Sequence, residues 1–175
     1  MEERLNIIDD MADGIRDIIL GENKEKIVDI EDVVSKLDGE IYEVDDINKS
    51  CILKKGDSFV IKLSKNLNEK QKRLWAAFEL GNLFINMGYK IDPENFKKYN
   101  DGVEFNSEDE YEDELALLFG IAFLIPKKLF ISKMKENYDG EGIYNIKNVA
   151  DYFNVQEKVV VFRGRNLGLL AKGDK

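Results

Sequence analysis

Residues 73–89 read Arg73-Leu74-Trp75-Ala76-Ala77-Phe78-Glu79-Leu80-Gly81-Asn82-Leu83-Phe84-Ile85-Asn86-Met87-Gly88-Tyr89. Leu74, Ala77, Phe78, Gly81 and Phe84 or Ile85 recur at helical spacing and predict one inward stripe, with Trp75 also read as packing. Within it, Phe78-Glu79-Leu80-Gly81-Asn82 stands in the frame of H-E-x-x-H. In that motif two histidines one turn apart hold zinc, and the glutamate between them works on the attacking water. Here the glutamate is present and both imidazoles are missing; the whole chain contains no histidine. Zinc sites take nitrogen or sulfur donors at about 2.0–2.3 Å. A phenyl ring has no lone pair, and the neutral amide of Asn82 suits a hard cation as one ligand of many. Phe78 is also large enough to fill the space a metal and its water would need. Glu79 is therefore expected to be a relic of a general base, held by a polar neighbour or exposed, and no catalytic residue is assigned.

Outward from this segment, Asn68 is a cap for a helix running from Glu69 to about Met87, closed by Gly88. Upstream, Leu5, Ile8, Ala12, Ile15 and Ile19 predict an amphipathic helix ending near Gly21, and Ile30 to Leu37 a second one. The period then changes. Short strands are expected at 41–44, 51–53 and 59–63, with Lys55-Gly56-Asp57-Ser58 as the turn of a hairpin. Downstream, Asp92-Pro93-Glu94 opens a helical turn, and Ser107 with Glu110 forms a capping box before an apolar helix from Leu115 to Leu124. Pro126 starts a helix carrying Leu129, Phe130 and Met134; two more are expected at 145–153 and 156–166. Val149, Phe153, Val159, Phe162 and Leu167 of that last pair read as packing residues rather than as a DNA-reading surface.

The 175 residues carry 35 acids against 26 Lys and Arg, a net charge of −9, which disfavours a general nucleic-acid binder. No apolar run approaches the roughly 20 residues of a membrane span. The N-terminal stretch lacks the pattern of a secretory signal, and Cys51 is the only cysteine, so a cytoplasmic location and no membrane partner are expected. Glu108-Asp109-Glu110-Tyr111-Glu112-Asp113-Glu114 holds six acids in seven residues. Acids in the first turns of a helix suit its dipole. A weak calcium or magnesium site and a negative patch for a basic partner are the other readings.

Three signatures in order resemble the ImmA/IrrE-type metallopeptidases. The family pattern R-F-T-x-A-H-E-L-G-H is similar to Arg73-Leu74-Trp75-Ala76-Ala77-Phe78-Glu79-Leu80-Gly81-Asn82. A second, E-x-x-A-N-x-F-A-x-x-L-L-M-P, is similar to 113–126, and the closing helices resemble Val149-Ala150-x-x-Phe153-x-Val155 with Arg163-x-x-Asn166-Leu167-Gly168-Leu169. The resemblance implies an α+β fold with a zincin-like core, a small sheet packed on helices including 69–87, and a C-terminal helix pair. It divides the chain into a peptidase-like domain, 1–136, and a helical subdomain packed on it, 143–170. It makes Phe78, Asn82 and Asp113 the former metal-ligand positions, with Glu112 and Glu114 beside the third. Active relatives act on DNA-binding repressors. The expectation is a catalytically inactive member without metal or cofactor, binding a DNA-binding regulator or other basic protein, as a phage or mobile-element regulator, anti-repressor or inhibitor. Glu108, Asp109, Glu110, Glu112 and Glu114 are candidate partner-binding residues. One alternative is a peptidase using Glu79, Asn82 and the Asp113 cluster around a non-zinc cation; another is an acidic nucleic-acid mimic.

Overall fold

The computed structural model describes residues 2–23, 27–107 and 109–171. Helix α1 (Glu2–Leu20) leads through a 3-10 turn to α2 (Ile30–Lys36), whose cap is Asp29, accepting from Glu31 N and Asp32 N. Strands β1 (Glu40–Val44), β2 (Ser50–Lys55) and β3 (Ser58–Ser64) form one sheet in the order β1-β3-β2. β3 runs antiparallel to β2 through the expected hairpin, where Lys55 faces Ser58, and parallel to β1. The central strand buries Phe59, Ile61 and Leu63, as a strand covered by neighbours must. The outer edge of β2 is partly covered: Phe105 N donates to Ile52 O and Gly102 N to Lys54 O.

α3 (Glu69–Gly81) starts at Asn68, which forms a reciprocal capping box with Gln71. The helix does not continue regularly to Met87 as its periodicity predicts. Asn82–Asn86 forms a π turn in which Met87 N donates to Asn82 O at 2.9 Å, and Gly88, at φ 76°, ends it. α4 (Pro93–Phe96) follows as a single turn. α5 (Glu110–Leu124) begins one turn earlier than the apolar run suggests. Its cap is Asp109, not Ser107, because the Asp109 carboxylate accepts from Tyr111 N and Glu112 N and leaves Glu110, Glu112 and Asp113 in the first turn.

α3 and α5 touch backbone to backbone. A Cβ on Gly81 would lie 2.3 Å from Ala116 O, and one on Gly120 would lie 2.8 Å from Ala77 C and O. This approach sets the motif helix directly against the acidic one. α6 (Lys127–Glu136), α7 (Ile146–Phe153) and α8 (Glu157–Asn166) complete the chain. The C-terminal pair is tied to the rest by Arg163, which is 3% exposed, pairs with Asp9 of α1 and donates to Ile125 O. Arg16, 2% exposed, donates to Phe123 O at 2.6 Å. No helix among the described residues is long and apolar enough to cross a membrane.

Candidate functional site

Glu79 lies on the face of α3 between the sheet and α5, and is 3% exposed. It accepts from Ser50 Oγ of β2 at 2.6 Å and from Asn82 Nδ2, one turn along, at 3.0 Å. Of the two fates the sequence allows for Glu79, the structure shows a carboxylate held by polar neighbours. Asn82, also 3% exposed, has its other amide atom engaged as well: Oδ1 accepts from Asn86 Nδ2 at 3.0 Å. Asn86 is fixed in turn, its carbonyl accepting from Asn95 Nδ2 at 2.9 Å and Tyr99 Oη at 3.1 Å. The π turn thus locks the amide at the second former ligand position into a network that points it at the glutamate.

Above Glu79 a cleft of about 590 Å³ opens. Phe78 does not fill it, contrary to the expectation from its size; it is half-buried and forms one wall. Its ring meets Trp75 edge-on at 5.3 Å, so Trp75, read from the sequence as packing, is a wall residue too. Phe162 of α8 was expected to pack inward and instead lines the cleft, 38% exposed. The reason is the same in all three cases: apolar periodicity marks a face but not whether it borders core or cleft. Phe84, by contrast, is core. Five carboxylates line the space, Glu79, Glu104, Glu110, Asp113 and Glu114. Lys49 is the one cation lining it among the described residues, and its Nζ sits 4.8 Å from the centre of the Trp75 ring.

Burial raises the Glu79 carboxyl above the ordinary carboxylate range, and the charges of Asp113 and Glu104 push the same way, against the hydrogen bonds from Ser50 and Asn82. Cys51, also on the cleft, is pushed up to about 12 by burial, by its hydrogen bond with Glu104 and by the nearby acids. In the metal-free protein it is therefore a thiol at neutral pH rather than a thiolate nucleophile. These residues do not fit zinc. Phe78 has no lone pair to offer, and Asn82 is hydrogen-bonded at both amide atoms. No three His, Cys, Asp or Glu side chains among the described residues converge so as to hold a metal ion.

The acidic run divides. Glu108 lies outside the described residues. Asp109 is engaged as the α5 cap, and Glu112 is half-buried beside Asn86, whose Nδ2 lies 3.5 Å from Glu112 O. Glu110, Asp113 and Glu114 face the cleft. The structure therefore brings Phe78, Glu79, Asn82 and Asp113 into one site and separates Asp109 from it in role. Sequence reasoning missed Ser50, Glu104, Phe105 and Lys49. Ser50 and Glu104 reach the site only through β2, whose Leu53 bridges to Glu104, and no local signal marks either.

The peptidase-family model described as the IrrE N-terminal-like domain matches residues 29–164. Among solved structures, a Mycobacterium tuberculosis transcriptional regulator is similar, with a TM-score of 0.56 and 16% sequence identity. That alignment covers 93% of this chain and 50% of the regulator, so the chain spans about half its length and the likeness is one of fold. No curated protein matches in sequence.

Proposed function

Because the chain belongs to the IrrE N-terminal-like peptidase family, we propose that it is a member that has lost hydrolysis and acts by holding another protein in the former active-site cleft. The observation that carries this reading is the state of the two ligand positions. Phe78 presents a ring to the cleft, and Asn82 is hydrogen-bonded through both amide atoms to Glu79 and Asn86. Without a metal to bind and acidify water, Glu79 has no hydroxide to generate. What remains is a walled cleft with aromatic and carboxylate residues, suited to binding. The family resemblance is what suggests a DNA-binding regulator as the partner and a mobile-element or phage setting for the pair.

The test is recovery of the DNA-binding regulator encoded nearest to this chain, before and after dialysis against a strong chelator. Intact regulator is expected to be held equally well in both, and to be lost with Phe162→Arg at the cleft wall. Regulator that is cut, or held only when divalent cations are present, would favour the competing reading of a hydrolase built on Glu79, Asn82 and Asp113. Mimicry of nucleic acid by the acidic run is less well supported, since Asp109 is taken up by capping and Glu112 is half-buried.

A further inference from the structure

Glu79 is a carboxylate 3% exposed, at the floor of a cleft, with two neutral hydrogen-bond partners, Ser50 and Asn82. Each of its oxygens keeps a further lone pair. Glu104, Glu110, Asp113 and Glu114 line the same cleft, and a cation is the ligand class that answers this clustered negative charge. The walls supply the rest of what a long basic side chain needs. Trp75, Phe78, Phe105 and Phe162 offer ring faces and edges for a methylene stem. That such a face accepts a cation here is shown by Lys49, lying over Trp75 at 4.8 Å. The volume of about 590 Å³ falls within the range of about 300–1,000 Å³ typical of sites that enclose a ligand. Anionic ligands are opposed by the five lining carboxylates.

We propose that the cleft receives a single lysine or arginine side chain presented by an extended segment of the partner protein, its charged head against Glu79 and its stem along the aromatic wall. A partner's cation thereby takes up the charge complementarity that a metal would have had with this carboxylate. The proposal rests on the reading of the cleft as a metal-free binding site, and goes further in specifying what enters it.

Trp75 is the only tryptophan of the chain and lines the cleft, so intrinsic fluorescence reports its occupancy directly. The full chain is titrated with capped pentapeptides Leu-Ala-X-Ala-Leu in which X is arginine, lysine or norleucine. The arginine and lysine peptides should saturate the signal with affinity about tenfold or more above the norleucine peptide, equivalent to one charge-assisted contact. Glu79→Gln should abolish that preference, and Asp10→Asn on the exposed face of α1 should leave it intact. If Glu79→Gln does not fold, the exposed pair Asp113→Asn with Glu104→Gln carries the same test. Equal binding of the three peptides, or no response to any, would overturn the proposal while leaving the reading of a metal-free binding protein standing. A preference reduced as much by Asp10→Asn as by Glu79→Gln would overturn it too, as general charge attraction. Free butylamine binding as tightly as the lysine peptide would overturn the assignment to a protein segment. Stoichiometric metal in the purified protein, with the peptide preference absent, would instead sink the underlying reading.

Discussion

Among the described residues, the most deeply buried charges lie in two regions that treat them differently. Where α1 meets α8, Arg163 is paired with Asp9 and capped by Ile125 O, while Arg16 reaches Phe123 O. Those guanidinium groups close inside the protein and bind three helices together. In the cleft, Glu79 is as deeply buried, yet its hydrogen-bond partners are neutral and its nearby charges are like charges. The first arrangement pairs opposite charges within the fold, although Asp9 Oδ2 is left without a hydrogen-bond partner. The second has both carboxylate oxygens hydrogen-bonded but no countercharge against them, and on our proposal a partner's cation supplies it. Buried charge is thus architecture at one end of the molecule and a binding determinant at the other.

The comparison breaks first, and with the largest effect, at Arg163. Arg163→Ala leaves Asp9 buried without its partner and is expected to cost about 3–5 kcal/mol, visible as a large fall in the denaturant midpoint. A loss near zero would mean the α1–α8 pair is dispensable and the contrast with the cleft is false. Gly81→Ala comes next. Its methyl group would meet Ala116 O at 2.3 Å, so the α3–α5 approach must widen, at about 1–3 kcal/mol by the usual cost of overpacking. Unchanged stability with an unchanged Trp75 emission spectrum would show that the close approach does not set the cleft.

Glu79→Gln should move stability least, and in a direction fixed by linkage. The folded carboxyl is held above the ordinary 4.5, mainly by burial, so the folded state binds the proton more tightly than the unfolded chain. Its favourable contribution is fully present below the unfolded value and is lost as pH rises through the folded one. The stability of Glu79→Gln relative to the parent should therefore improve from about pH 4 upward and level off at higher pH. Melting temperatures of both proteins across that range check the sign. A difference that falls with rising pH would mean the carboxylate is stabilised in the fold, and the cleft is not short of a cation.

Much of the scaffold was legible in residue pattern. Asn68 announced the start of α3, and Lys55-Gly56-Asp57-Ser58 announced the hairpin. The resemblance implied that Phe78, Asn82 and Asp113 share one site with Glu79, and all four line the cleft. The rest lay beyond local pattern for identifiable reasons. Trp75, Phe78 and Phe162 look like core residues to any reading of period, because water and a binding cleft leave the same gap in a helical wheel. The π turn at Asn82–Asn86, across which Asn86 Nδ2 donates to Asn82 Oδ1, has no sequence mark. No local pattern marks Arg16 and Arg163 as buried, because Phe123 O, Asp9 and Ile125 O come together only across the fold. Ser50 and Glu104 join the site through strand pairing, which no local rule anticipates.

The central claim, that Phe78 as a cleft wall and Asn82 in a hydrogen-bonded network leave the former metal site unable to hold zinc, is tested most directly by metal content. The chain should be purified with a cleavable tag free of histidine and measured by elemental analysis, beside Phe78→His with Asn82→His. The account predicts no stoichiometric zinc, manganese, iron or nickel in the parent, and about one zinc per chain in the double variant, where two imidazoles face Asp113 across the cleft. One tightly held metal per chain in the parent would contradict it and would return hydrolysis to this site.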